Sequence, residues 1–207
     1  WDIETGTCIH TITSNQPIQS LAWWKHGQYL IEGAWGLQGD ISPFDIHIRQ
    51  WDQHDHSSLD HGKIIKTLAG HFGTVRVLLV DESNDQLLSC SDDHSIRLWN
   101  LNTGQQIKQF NGHTNSVYGL CKVDKNVFVS AGHDSSIRFW NMASKSCIRT
   151  ISYAHQVSIQ SLLYSASNKV LISAGMDGIV KVWDLKVGEA NKKIDKCTLK
   201  FAINNPF

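Results

Sequence analysis

Proline is nearly missing from this chain, 3 in 207 residues, and methionine numbers only 2. There is no surplus of either charge, with Lys plus Arg at 19 and Asp plus Glu at 19. Proteins that hold nucleic acid by neutralising phosphates carry a basic surplus, so the total lends that function no support, although a local patch can sit inside a neutral sum. No apolar run approaches the ~18 residues that a membrane-spanning helix needs. The 5 cysteines, Cys8, Cys90, Cys121, Cys147 and Cys197, are odd in number and far apart, with no CxxC pair. That usage fits reduced thiols in an intracellular protein, cytoplasmic or nuclear, better than a disulfide framework. No motif asks for a cofactor. Position 1 is a tryptophan, so the sequence is expected to continue a longer polypeptide.

What the chain does have is repetition. SDDHSIRLWN at 91–100 is nearly rewritten as GHDSSIRFWN at 132–141. Tryptophan followed by Asp or Asn recurs at Trp1, Trp51, Trp99, Trp140 and Trp183, spaced roughly 40 to 50 residues apart. Six residues before the last four of these stand Asp45, Asp93, Asp134 and Asp177, and two residues before them Arg49, Arg97, Arg138 and Lys181. Ten residues before the last three stand Ser89, Ser130 and Ser173, and each of those units opens on a histidine, His71, His113 or His155. Within a unit the apolar period is two: VRVLLV, LLSCS and SIRLW are short runs bounded by polar turns, the pattern of strands. A further strand follows each tryptophan, as in SCIRTI at 146–151, which TCIHTI at 7–12 resembles. Four strands make a small antiparallel sheet that cannot bury both faces alone, so neighbouring units must stack.

The Gly-His openings and Trp-Asp or Trp-Asn endings resemble the WD-repeat family, whose units of ~40–45 residues each build one propeller blade. The resemblance implies an all-β chain of four-stranded antiparallel blades over residues 1–207. Four full blades are expected at about 14–69, 70–111, 112–153 and 154–207, preceded at 1–13 by the outer strand of another blade. Four blades with that family's packing angle leave an open arc with exposed edges, so a larger ring of about seven blades is implied, its other blades supplied by sequence outside this stretch.

Serine, histidine and aspartate recur together, as Ser89, His71 and Asp93, then Ser130, His113 and Asp134, then Ser173, His155 and Asp177. Those are the ingredients of a hydrolytic triad, which is recognised by geometry rather than by order. An enzyme has no reason to build its site three times, whereas a repeated fold must repeat its fasteners. Nor is there a GxSxG elbow to expose a serine nucleophile. The groups therefore read as a buried network in which the histidine bridges aspartate and serine and the serine reaches the indole of Trp99, Trp140 or Trp183. The resemblance implies the same, since such tetrads are structural in WD-repeat proteins.

The repeat breaks in its first unit. Aligning Ile18–Leu21 with Ile159–Leu162 puts Ser14 in the histidine's place and Glu32 in the serine's, leaving Asp45 and Trp51 as the remaining network members. About nine residues are inserted in WGLQGDISPF, 35–44, between the second and third strands. Its apolar Trp35, Leu37, Ile41 and Phe44 either fold back over the weakened blade or carry an aromatic anchor for a partner. After Trp51, the segment DQHDHSSLDHGK holds His54, His56 and His61 among acids; these are weak candidates for zinc, and the segment reads as a solvated connection. Beside the tetrads, Phe72, Arg76, Asp92, Tyr118, His133 and Met176 vary in chemistry from unit to unit, as a recognition surface requires.

These features point to a non-catalytic scaffold that presents peptides or domains of other proteins on the top face of a propeller within a larger complex. An adaptor or substrate-receptor role in a ubiquitin ligase or chromatin complex is the alternative, with a nucleic-acid-binding propeller behind it.

Overall fold

The computed structural model describes residues 3–8, 10–36, 44–51, 62–187 and 194–204. Strands β1 (Ile18–Trp24), β2 (Tyr29–Ala34), β3 (Ile46–Gln50) and β4 (Ile64–Leu68) form the first sheet. The second holds β5 (Val75–Asp81), β6 (Gln86–Ser91), β7 (Ile96–Asn100) and β8 (Gln106–Phe110). The third holds β9 (Val117–Asp124), β10 (Val127–Gly132), β11 (Ile137–Asn141) and β12 (Ser146–Ile151). The fourth holds β13 (Ile159–Ser165), β14 (Val170–Gly175), β15 (Ile179–Val187) and β16 (Ile194–Asn204). All pairs are antiparallel and consecutive, so each sheet is a meander. Among the described residues no helix is long and apolar enough to cross a membrane.

Turn chemistry explains where the strands stop. After β5, the Asp81 carboxylate accepts hydrogen bonds from Ser83 Oγ at 2.7 Å and Asn84 Nδ2 at 2.9 Å, local bonds that compete with continuation of the ladder. The connection between second and third strands needs one residue in the left-handed region, taken by His94 (φ 68°), Ser135 (φ 59°) and Gly178 (φ 72°). Glycine adopts it freely. The other two turns are held by the preceding aspartate, whose Oδ1 accepts from Ser95 N and Oγ at 2.9 and 2.6 Å, and from Ser136 N and Oγ at 3.0 and 2.8 Å.

The first strands follow one another, β1 against β5, β5 against β9 and β9 against β13, which stacks the sheets as successive blades. The apolar core lies between sheets. Trp24, Ile31 and Ile48 meet Leu78, Leu87 and Trp99; Leu98 and Phe110 meet Phe128 and Trp140; Val129 and Phe139 meet Leu171 and Trp183. Polar ties join the opposite rim: Trp24 Nε1 donates to Asp85 Oδ1 at 2.9 Å, and Lys122 Nζ pairs with Asp81 Oδ2 at 2.8 Å. The row does not close on itself, and both end sheets leave apolar side chains in solvent, Leu21 at 60% exposure and Leu163 at 62%.

Strand pairing corrects the reading of the first unit. In the other three sheets the tryptophan is paired with the residue two before the serine, Trp99 with Leu87, Trp140 with Phe128 and Trp183 with Leu171. In the first sheet Leu30, two before Glu32, is paired with Arg49. The bulge that precedes each tryptophan on the third-to-fourth strand ladder likewise precedes Arg49. Arg49, not Trp51, therefore occupies the tryptophan's place, and Asp45 and Trp51 lie two residues past the network positions. The Trp-Asp dipeptide is only a spelling; register is set by hydrogen bonding and by which side chains reach the core. Trp51 packs edge-on against Trp23 and His10, with ring centroids 5.5 and 5.7 Å apart.

A charged cluster replaces the tetrad. Glu32 Oε1 accepts from Arg49 Nη2 at 2.8 Å and Ser14 Oγ at 3.1 Å, and lies 3.1 Å from His47 Nδ1. Burial alone raises the Glu32 carboxyl, but the bonds from His47, Arg49 and Ser14 hold it down at about 2. The expected outer strand at 1–13 carries no ladder: none of its described residues belongs to a sheet. The segment instead lays alternate side chains on the first sheet: His10 on Trp51, Ser14 on Glu32, and Gln16 on Asp45 O at 3.4 Å.

Glu32→Leu is expected to cost about 3–5 kcal/mol of folding free energy, because Arg49 is left buried without its partner. Changing Arg49 to Leu as well is expected to restore most of that loss, and denaturant titration of the single and double variants measures it. Since the folded carboxyl sits at about 2 against an ordinary 4.5, its contribution is complete above pH 4.5 and disappears as pH falls toward 2.

Candidate functional site

Three relays stand at the rim where the histidine loops and the second-to-third-strand turns meet. His71 Nδ1 lies 2.7 Å from Asp93 Oδ2, His71 Nε2 lies 2.7 Å from Ser89 Oγ, and Trp99 Nε1 donates to Ser89 Oγ at 2.9 Å. The matching distances are 2.8, 2.7 and 2.7 Å for His113, Asp134, Ser130 and Trp140, and 3.0, 2.7 and 2.9 Å for His155, Asp177, Ser173 and Trp183. An indole N–H can only donate. The serine oxygen therefore accepts from tryptophan; an ionised carboxylate can only accept, so Nδ1–H donates to it, and Nε2 is left to accept the serine hydroxyl. Ser89, Ser130 and Ser173 are wholly buried, and each oxygen is already engaged. The geometry is that of a fastener, with none of these three serine oxygens open to solvent.

Burial pushes the His71 imidazole below its ordinary 6.5, against the pull of Asp93. Burial would raise the Asp93 and Asp134 carboxyls, yet the histidine and serine donors hold both well below the usual carboxylate range. Asp177 is lowered as well, chiefly by His155 against its own burial.

The relays orient a frame of display positions. The backbone N–H after each histidine, Phe72, Thr114 or Gln156, donates to the tetrad aspartate at 3.1 Å, so that residue's side chain turns outward, and Phe72 is 81% exposed. The residue before each aspartate, Asp92, His133 or Met176, has its N–H bound to the carbonyl of Thr74, Ser116 or Ser158 at 3.0, 2.8 and 2.9 Å. The second residue of each first strand, Arg76, Tyr118 or Gln160, stands beside them. One backbone geometry thus presents nine positions of differing chemistry.

The structure brings four of the predicted contact residues into a single chain. Arg76 donates to Asp92 through Nε at 2.9 Å and Nη2 at 2.6 Å, its guanidinium lies 5.2 Å from the Tyr118 ring centroid, and Tyr118 meets His133 edge-on at 6.2 Å. Met176 stands apart on the fourth sheet at 69% exposure. Phe44 is only 6% exposed and is no free anchor: its ring packs on Gly36, where an added Cβ would come within 2.5 Å of it. Trp35 is 38% exposed, with its N–H bound to Pro17 O at 2.8 Å. Leu37 and Ile41 lie outside the described residues, as do His54, His56 and His61. Among the described residues no group of three or more His, Cys, Asp or Glu side chains is placed to hold a metal ion.

Sequence reasoning missed Thr74. Its hydroxyl donates to Gly36 O at 2.8 Å and accepts from Gly36 N at 3.2 Å, pinning the start of the insertion to the second blade. The signal was its repeated place before a first strand, shared with Ser116 and Ser158.

His113→Ala is expected to lower stability by roughly 1–3 kcal/mol, because Ser130 and Asp134 lose a buried partner; thermal melting against the wild type measures it. The pH dependence follows from depressed values at both kinds of group. Their stabilisation is intact at neutral pH, the His71 part is lost as pH falls below 6.5, and the aspartate part below 3.8. Melting temperatures recorded from pH 8 to pH 3 should fall in that order.

The repeat model described as WD domain, G-beta repeat matches residues 62–100, 104–141 and 145–184, more than half of the chain. Each matched stretch ends on the residue after a relay tryptophan, Asn100, Asn141 or Asp184. Similar proteins include Autophagy-related protein 16 of Arabidopsis thaliana, 25% identical over 150 residues, or 70% of this chain and 27% of that protein. The COMPASS component SWD3 of Saccharomyces cerevisiae is 25% identical over 195 residues, 89% of this chain and 57% of its own. The SIR4-interacting protein SIF2 of the same yeast is 33% identical over 119 residues, 58% of this chain and 22% of its own. The chain thus spans less than two thirds of the length of each of these relatives. With its stacked four-stranded sheets, recurring relays and matched repeats, the chain belongs to the WD domain, G-beta repeat family.

Proposed function

We propose that this chain is part of a non-catalytic interaction platform, which offers its display face to peptides or domains of other proteins within a larger complex. One observation carries the proposal: a single backbone frame, repeated in three blades, holds side chains as unlike as Asp92, His133 and Met176 at equivalent points. A fold whose relays consume its serines has put its variation where a partner would touch. Two relatives have names that place them with other proteins, as a COMPASS component and as a SIR4-interacting protein. Nucleic acid is not favoured, since Arg76 on this face is already paired with Asp92. An intracellular setting, cytoplasmic or nuclear, agrees with free thiols at Cys8, Cys90, Cys121 and Cys147. The apolar flanks of the first and fourth sheets support further blades from sequence beyond this stretch, in a ring of about seven.

Affinity capture from the native source, with partners quantified by mass spectrometry, tests the platform. Replacing Phe72 and Met176 by Ser is expected to deplete specific partners about tenfold or more, while a change on the opposite rim, Lys169→Ser, leaves them. An unchanged partner set in the display-face variant would overturn the platform, as would hydrolase activity abolished by Ser89→Ala in a folded protein. Trp35→Ala in the same assay tells whether the insertion contributes; an unaltered profile assigns it to covering the first blade.

A further inference from the structure

Between the second and third blades and the start of the insertion, the display face sinks into a cavity of about 470 Å³. The aromatic residues Phe44, Phe72 and Tyr118 line it, together with the polar Asn115 and Ser116. Asp92, Asp93 and His94 also line it, while among the described residues no lysine or arginine does. Taken alone, two carboxylates would invite a cation. Both are already compensated by the protein's own groups: Asp92 receives two hydrogen bonds from Arg76, and Asp93 receives those of His71, the Phe72 N–H and Ser95. The Tyr118 ring is engaged as well, by the Arg76 guanidinium. A charged side chain entering here would give up its hydration and find both carboxylates already engaged. An uncharged one would leave water for three aromatic walls, in a space within the usual range of ligand sites.

We propose that this cavity is a side-chain pocket for one uncharged aromatic or long aliphatic residue of a partner segment. Phe72 is its outer lip, and the Arg76–Asp92 pair is the element that turns cations away. The proposal rests on the platform reading given above and adds what that platform selects.

The test uses the whole protein and three probes, N-acetylated amides of phenylalanine, arginine and glutamate, with binding followed by saturation-transfer NMR. The phenylalanine probe is expected to bind at least about fivefold more tightly than either charged one, and Phe72→Ala and the cavity-filling Asn115→Trp to weaken it by a similar factor. Arg76→Gln frees Asp92, so the arginine probe is expected to gain about tenfold there. The pocket is refuted if the arginine or glutamate probe equals the phenylalanine probe on the wild type. It is also refuted if both Phe72→Ala and Asn115→Trp leave phenylalanine binding intact. Equal binding of the three probes, together with partner loss in the display-face capture, removes the pocket and leaves the platform standing. Selectivity among probes with an unchanged partner set removes the platform, and with it the partner assigned to the pocket.

Discussion

A buried serine oxygen that accepts a hydrogen bond from an indole and donates one to an imidazole has only one orientation open to it. In Ser89, Ser130 and Ser173 that requirement sets everything downstream: the imidazole presents Nε2 as acceptor, Nδ1 must carry the proton, and the carboxylate must wait beyond it. Each member sits on a different piece of backbone, a loop, a second strand, a tight turn and a third strand. Leaving any one of them unpaired in the interior would cost more than the bond itself is worth. The relay therefore determines the relative placement of four segments, and it is repeated with nearly the same distances in three blades. The left-handed turns at His94 and Ser135 persist because the same aspartate that closes the relay also caps them.

Tryptophan performs two tasks at once, since its N–H closes the relay while its ring fills the core against the preceding sheet. The first sheet gives up both. Arg49 stands in the ring's place, and it is satisfied by Glu32 and by the carbonyl of Gly62 at 2.7 Å rather than by apolar packing. A buried ion pair contributes less net stability than a packed ring, but it is unforgiving of a lost partner. The sheet that holds it is also the one whose flank leaves Leu21 and Trp23 in solvent.

The legible part of this molecule was the part written in repeated residue types. Strands showed as short alternating runs, the three relays as His, Ser, Asp and Trp at recurring offsets, and the display positions as variable neighbours of constant ones. The first blade was legible only in part. Ser14 and Glu32 were placed correctly because they align through the strand Ile18–Leu21, whose pairing with the second strand has the same register as in the other sheets. Arg49 was missed because Trp51-Asp52 imitates the motif two residues late, and only the ladder between β2 and β3 reveals the shift. The role of Thr74 was missed for a different reason: its place before a first strand recurs as Ser116 and Ser158, but the bond its hydroxyl makes to Gly36 of another blade leaves no pattern along the chain. Burial of Phe44 was hidden likewise, since an apolar residue in an insertion reads the same whether it faces the protein or a partner.

The same stacking that hides such contacts gives the display face its character. Because β5 packs directly on β9, the second residues of those strands meet, and Arg76 of one blade lies over Tyr118 of the next. Asp92 holds the far side of the arginine and His133 the far edge of the tyrosine. These four side chains are not independent options on a neutral frame; each limits the rotamers of its neighbour. A substitution at any of them must propagate through the chain of contacts, since the guanidinium cannot leave Asp92 without also uncovering the ring. The second and third blades therefore present one linked element with its charges internally balanced, whereas Met176 stands apart from it on the fourth blade. Fixed placement at the relay and mutual constraint at the surface are thus two levels of one arrangement, in which polar groups satisfy each other first, serine with histidine and aspartate inside, Arg76 with Asp92 at the rim.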